Sequence, residues 1–339
     1  MLNETQYIEL QELLREKKKV VISTHRSPDG DAIGSSLGLY HLLVQNGNEV
    51  KVVVPNEYPE FLHWMKGHDV ILDYEVKQNE VKRAFEEADV LFCLDYNAPH
   101  RAGDVQELIN DFSKTIVMID HHPQPDDFAT YTYSDTSASS TAELIHEFAV
   151  GMDWEERIDV SIGECLYSGI VTDTGSFRFP ATTARTHRIV AAMMDKGLQP
   201  FLIHQKIYDS NTESRLKLLG YSLSQKMEVL PEFKTAFISL SQEEMTRFGY
   251  QSGDTEGVVN YALSIKGVRF AAIFKEYDKH IRMSFRSQGS FSVNDFARAN
   301  FEGGGHTNAA GGTSHESLQH TIEKFKGLLP QYKEELNAE

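Results

Sequence analysis

Three apolar runs within the first 123 residues each end at ionisable side chains. Val20-Val21-Ile22 passes through Ser23-Thr24 to His25, with Asp29 and Asp31 close behind. Val90-Leu91-Phe92-Cys93-Leu94 ends in Asp95, and Thr115-Ile116-Val117-Met118-Ile119 ends in Asp120-His121-His122-Pro123. Short runs rich in β-branched residues read as strands, and near-continuous apolarity marks strands covered on both faces, as in a parallel sheet. Helical patterns fall between them, over residues 1–18, 32–45, 76–87 and about 104–112. Further strands are expected at 49–54, at 70–72 and around 130–133. This alternation predicts an α/β fold with a mostly parallel sheet and helices on both faces. Ligands of such sheets sit outside the carboxyl ends of the strands. His25, Asp29, Asp31, Asp95, Asp120, His121 and His122 all fall there.

After residue 133 the character changes. Helices are predicted over 136–150 and 154–170, followed by a loop at 171–180 that carries Asp173. Three more helices are predicted at 183–196, 198–208 and 212–226. Sheet-like sequence resumes at Phe233, with a strand over 234–240 and a hairpin of 267–275 with 280–286. A helix over 292–299, a glycine-rich loop at 303–312 and a last helix over 316–328 complete the chain. The expected organisation is an α/β domain at 1–190 that carries the ionisable strand ends, a helical linker at 191–226 and a smaller α/β domain at 227–339.

Each polar residue alone has an ordinary structural reading. Asp31 precedes a helix and reads as its N-cap; Asp173 reads as an Asx-turn residue. Together they are different, because four aspartates and two or three histidines converge on one crevice. Two carboxylates about 4 Å apart repel by roughly 4 kcal/mol at an effective dielectric near 20. Such a cluster must take up protons or cations. Oxygen and imidazole donors without thiolate favour Mn²⁺ or Mg²⁺, with Co²⁺ as an alternative, over structural zinc.

The sequence resembles the DHH phosphoesterase family, and within it the bacterial oligoribonuclease/3′-phosphoadenosine 5′-phosphate phosphatase branch, the nano-RNases. The resemblance covers nearly the whole chain. It rests on His25, Asp29 and Asp31 in a His-x-x-x-Asp-x-Asp pattern, on Asp95, on Asp120-His121-His122 and on Asp173 in Thr-Asp-Thr-Gly. Gly303-Gly304-Gly305-His306 is similar to the signature of the family's C-terminal domain. The resemblance implies two divalent ions, Mn²⁺ foremost. His25, Asp29 and Asp95 would hold one; Asp31, Asp95, His121 and Asp173 would hold the other, with Asp95 bridging. Asp120 would orient an imidazole and His122 would face the substrate phosphate. Arg286, Gly304, Gly305 and His306 would bind substrate. Arg101, Arg178 and the helix start at Ser139-Ser140-Thr141 read equally well as structural; Phe177 and Phe179 read as core residues, with stacking on a base as the alternative.

The implied function is hydrolysis of short RNA oligonucleotides (about 2–5 nucleotides) to mononucleotides, and of 3′-phosphoadenosine 5′-phosphate to AMP. Alternatives are a phosphodiesterase for linear or cyclic dinucleotides of the pApA type, and a pyrophosphatase or exopolyphosphatase. A non-catalytic nucleotide-binding regulator would have no need of the full ligand set. The net charge of −17 disfavours coating of long nucleic acid. Expected partners are therefore short RNA and small nucleotides, with no long nucleic acid and no membrane, in a monomer or homodimer. Residues 1–19 are charged throughout and lack the apolar centre of a signal peptide. Cys93 and Cys165 stand apart in apolar segments, which suits a reducing compartment and predicts a cytoplasmic enzyme.

Overall fold

The computed structural model describes residues 2–338. The chain divides into two compact units between Ser210 and Asn211. The first holds six strands: β1 (Lys19–Ser23), β2 (Glu49–Val54), β3 (Ile71–Asp73), β4 (Val90–Leu94), β5 (Thr115–Asp120) and β6 (Tyr131–Ser134). They form one sheet in the order β3-β2-β1-β4-β5-β6, with every pair parallel. Its helices are α1 (Glu4–Arg15), α2 (Gly30–Gln45), α3 (Gln78–Glu87), α4 (Gln106–Asn110), α5 (Thr141–Gly151), α6 (Val160–Asp173), α7 (Ala184–Asp195) and α8 (Pro200–Tyr208).

The strands alternate between two cores. Val20, Ile22, Phe92, Leu94, Val117 and Ile119 pack under α1, α2, α5 and α6. Val21, Leu91, Cys93, Ile116 and Met118 point the other way, against Val81 and Phe85 of α3 and Ile109 of α4. The strand order reverses between β1 and β4, which makes their carboxyl ends the natural ligand crevice.

A glycine stripe sets how closely α2 and α6 cross. A Cβ on Gly34 would strike the Cys165 carbonyl and the Gly169 amide, and one on Gly30 would strike the Thr172 side chain. Gly169 in turn lies against Ala142 and Asp31. Small residues thus bring the carboxyl end of α6 to the start of α2. The helix expected from Trp154 begins only at Val160, because Asp159 is its cap and accepts the Ile162 N–H.

The second unit carries β7 (Met227–Leu230), β8 (Thr235–Leu240), β9 (Phe270–Tyr277), β10 (His280–Ser287), β11 (Glu302–His306) and β12 (Ala309–Ser314). Their order is β11-β12-β10-β9-β8-β7, antiparallel except for the parallel β8–β9 pair. Its helices are α9 (Glu213–Tyr221), α10 (Gln242–Arg247), α11 (Val258–Leu263), α12 (Val293–Asn300), α13 (Leu318–Leu328) and α14 (Lys333–Asn337). A phenylalanine-rich core joins one sheet face to α12 and α13. A smaller core lies between β8, β9 and α11 on the other.

Three expectations change here. The glycine-rich loop is a β-hairpin, β11–β12. The sheet begins at Met227 rather than near Phe233. The helix expected over 212–226 stops at Tyr221 and ends in a π-type turn over Ser222–Lys226. Among the described residues, no helix is long and apolar enough to cross a membrane.

Candidate metal centre

The loop after β1 delivers the first donors. Ser27 takes a left-handed backbone there, φ 57, and its N–H donates to Asn56 Oδ1 at 2.7 Å. Asp29, not Asp31, caps α2: its Oδ1 accepts the N–H groups of Asp31 and Ala32 at 3.0 and 3.1 Å. This corrects the capping expectation and leaves Asp31 on the first turn, buried and facing inward. There both its oxygens accept backbone N–H groups from the start of α5, Thr141 at 2.6 Å and Ala142 at 2.8 Å. Two helix N-termini, which favour negative charge, therefore hold two of the carboxylates.

Asp95 follows β4 with φ 64. Left-handed backbone costs most residues free energy, and Asp is among the few that tolerate it. Asp95 Oδ2 lies 3.3 Å from His25 Nε2, and Oδ1 lies 3.6 Å from His121 Nε2. The carboxylate thus turns one oxygen to each side. Thr141 Oγ1 donates to Oδ1 at 2.9 Å. His121 Nε2 is 3.3 Å from Asp173 Oδ2 and 3.8 Å from Asp31 Oδ2. His25 Nε2 is 3.9 Å from Asp29 Oδ1. Asp173 was expected on a loop; it is the last residue of α6, brought in by the α2–α6 crossing.

Among the donor sets that result are His25/Asp29/Asp95 and Asp31/His121/Asp173, and within each the donor atoms lie within 4.8 Å of one another. Either set could hold a divalent cation. Beside them, Asp120 accepts the His122 N–H at 3.0 Å, and its other oxygen lies 2.7 Å from His122 Nδ1.

The electrostatics of the bare cluster are unfavourable. Burial, then the charges of Asp95 and Asp29, hold the Asp31 carboxyl well above its ordinary range. Burial, then Asp29, Asp173 and Asp120, do the same to Asp95. Burial pushes Asp120 up to about 7 and His121 down to about 4, and lowers His25. Neutral imidazoles beside carboxylates that resist ionisation are the state that cations relieve. The residues present fit a pair of divalent ions bound through oxygen and nitrogen.

The network behind the site went unrecognised in the sequence. Glu143 is fully buried on α5. Its Oε2 accepts Ser139 Oγ at 2.6 Å and Thr186 Oγ1 at 2.8 Å, while Oε1 lies 3.1 Å from Arg185 Nε. Arg185 also pairs with Glu147 and with Asp135. This cluster fixes the start of α5, whose N–H groups clamp Asp31. The only signal was the Ser140-Thr141-x-Glu143 helix start. Arg101 acts electrostatically on Asp120 and His25. Arg178 instead bonds the Gly175 carbonyl, and Phe177 packs on the core.

In the second unit Arg286 lies on β10 opposite Ala309 of β12, which lies opposite His306 of β11. Arg286 and His306 therefore share one row of one face, with Gly304 and Gly311 in the next row but one. The Gly305 N–H donates to Asn294 Oδ1 at 2.9 Å, which pins the hairpin to α12.

Residues 19–170 match the DHH family N-terminal domain, and residues 234–336 match the DHHA1 domain. A probable bifunctional oligoribonuclease and PAP phosphatase NrnA of Streptococcus mutans is 31% identical over 313 residues, covering 91% of this chain and 94% of its own. The bifunctional oligoribonuclease and PAP phosphatase NrnA of Bacillus subtilis is 29% identical over 297 residues, covering 86% and 88%. The crystal structure of an exopolyphosphatase-related protein from Bacteroides fragilis superimposes with a TM-score of 0.93 at 39% identity, covering 99% and 98% of the two chains. With both domain types in order and a relative above 30% identity along nearly its whole length, the chain belongs to the DHH family.

Proposed function

We propose that this protein is a two-metal phosphoesterase that hydrolyses short RNA oligonucleotides to mononucleotides and 3′-phosphoadenosine 5′-phosphate to AMP. The observation that carries the reading is Asp95, whose two oxygens face two separate donor sets at 3.3 and 3.6 Å. A carboxylate so placed suits two cations that share it. His25, Asp29 and Asp95 would hold one ion, and Asp31, Asp95, His121 and Asp173 the other, with Mn²⁺ preferred. When bound, the two ions supply Lewis acidity toward phosphoryl oxygens and activate water near neutral pH.

The chain's own groups do the rest. Asp120 fixes the orientation of His122 through its Nδ1 contact, so that Nε2 meets the substrate phosphate. Arg286 supplies a planar cation suited to phosphate. Gly304 and Gly305 permit close backbone approach, and His306 adds a ring beside them. The names of the two curated relatives support this substrate class. The buried free thiols Cys93 and Cys165 fit a reducing cytoplasm.

The test is turnover of the Mn²⁺-loaded protein on an RNA dinucleotide, on 3′-phosphoadenosine 5′-phosphate and on pyrophosphate. Cleavage of the first two is expected to dominate. Preferential turnover of pyrophosphate would overturn the reading.

A further inference from the structure

The sheet of the second unit leaves part of one face open. On β10, Ile281, Met283, Phe285 and Ser287 are buried, while Arg282 is exposed and His280, Ser284 and Arg286 are half-buried. Residues at even spacing on a strand share a face. Arg282, Ser284 and Arg286 therefore lie together, on the side of Ile273 and Lys275 of β9. The helix α11 covers β8 and β9 on this side.

Two cations on this face lie against each other. Lys275 and Arg282 are direct cross-strand partners, and like charges so placed are destabilising. The Lys275 amine donates to Thr255 Oγ1 at 3.0 Å. Burial, then the Arg282 charge, pushes it down to about 8, against a partial offset from Glu256. Among the described residues neither Lys275 nor Arg282 has a carboxylate within ion-pairing distance. In a chain with 50 acidic and 33 basic residues, acids to neutralise the pair are not scarce. Thr313 on β12 is the other cross-strand partner of Arg282, and the paired hydroxyls of Tyr250 and Tyr277 lie 2.9 Å apart near the Lys275 end.

We propose that Lys275 and Arg282, with Thr313, form a second anion subsite, which binds a backbone phosphate of an oligonucleotide held on the same face by Arg286. This rests on the short-RNA reading above. Arg282 and Arg286 are four residues apart on one strand, roughly 14 Å at about 3.4 Å per residue. That is too far for one phosphate to touch both. A ligand with a single nucleotide step cannot use both subsites, whereas a chain of several nucleotides can. The second subsite therefore sets how strongly longer substrates are preferred.

The test is kcat/KM for RNA of two and of five nucleotides, with wild-type protein, Arg282→Ala, Arg282→Lys and Lys275→Met. In Arg282→Ala the five-mer to two-mer ratio is expected to fall about tenfold, or ~1.4 kcal/mol, through KM. The salt slope of five-mer binding should flatten by about one. Arg282→Lys should restore most of the ratio. An unchanged ratio in Arg282→Ala overturns the subsite, whatever Lys275→Met does to folding. If wild-type protein cleaves neither RNA, the functional reading fails instead. Fluorescence anisotropy with a labelled five-mer then decides the subsite alone, and equal affinity of wild type and Arg282→Ala would reject it.

Discussion

The two units solve opposite problems with a six-stranded sheet. In the first, both faces are covered and every strand is parallel, so polar chemistry can appear only where strands end. The carboxylates there are buried, crowded and held by backbone N–H groups. In the second, β10 alternates in burial while β8 is buried throughout, and one face stays partly open with polar residues along β10. Of the cations on β9 and β10, Arg282 is exposed while Lys275 and Arg286 are half-buried. The difference is one of dielectric. A buried donor set such as that around Asp95 is suited to bind ions strongly and to select by ligand geometry, whereas a partly open face such as that around Arg286 would contribute modest, additive contacts.

The sharpest way to break this contrast is Asp95→Ala. It should lower turnover by at least about a thousandfold and reduce the number of Mn²⁺ ions retained in equilibrium dialysis. Retention of two ions with normal turnover would remove the shared carboxylate from the scheme.

Acidity gives the next largest effect. Asp31, Asp95 and Asp120 have carboxyls raised above an unfolded value of about 3.9, Asp120 to about 7. In metal-free protein the folded state therefore holds more protons than the unfolded state across that interval. The stability Asp120 contributes is present below about pH 4 and is lost as pH climbs toward 7; Asp31 and Asp95 act in the same sense. His121, lowered to about 4, acts in the opposite sense: its contribution is present above its ordinary range near 6.5 and is lost as pH falls toward 4. It is thus already neutral and ready to ligate. Protons on carboxyls are what a cation must displace. Calorimetric Mn²⁺ affinity should rise between pH 5 and 7 with proton release, and a pH-independent affinity would contradict the raised carboxyls.

Thr141→Val removes the hydroxyl on Asp95 but keeps the backbone N–H that clamps Asp31. A loss of ten- to a hundredfold in Mn²⁺ affinity is expected, as for other groups that orient ligands from behind. Arg286→Ala should do the reverse: KM rises about tenfold, while the number of bound ions measured by atomic emission stays the same. If ion content fell as well, the division of labour between the two sheets would be wrong.

This contrast also explains what the sequence disclosed. Asp95 and Asp120 were legible because each interrupts an uninterrupted apolar run, a rare event in a strand buried on both faces. Arg282 and Lys275 were not, since a polar residue at alternate positions is what a half-open strand requires. Asp173 was visible as a residue but not as a helix end. Its position depends on Gly34 and Gly169 closing the α2–α6 crossing, a contact between distant segments. The Thr141–Asp31 clamp joins residues 110 positions apart and leaves no local pattern. The run Gly303-Gly304-Gly305 reads as a loop because glycine is a poor strand former; pairing with β12 and the Asn294 contact make it a strand.

The helix ends that grip Asp29 and Asp31 bear on how the protein relates to its ion supply. Small domains whose fold is made by a metal collapse when the metal is withdrawn. Here the carboxylates are anchored by α2 and α5, and the surrounding apolar cores are large and independent of them. Chelation is therefore expected to leave far-UV circular dichroism unchanged and to silence turnover until Mn²⁺ returns. A site anchored in this way could lose and regain its ions without a new chain being made, so turnover is expected to follow the supply of divalent cation on the timescale of ion exchange.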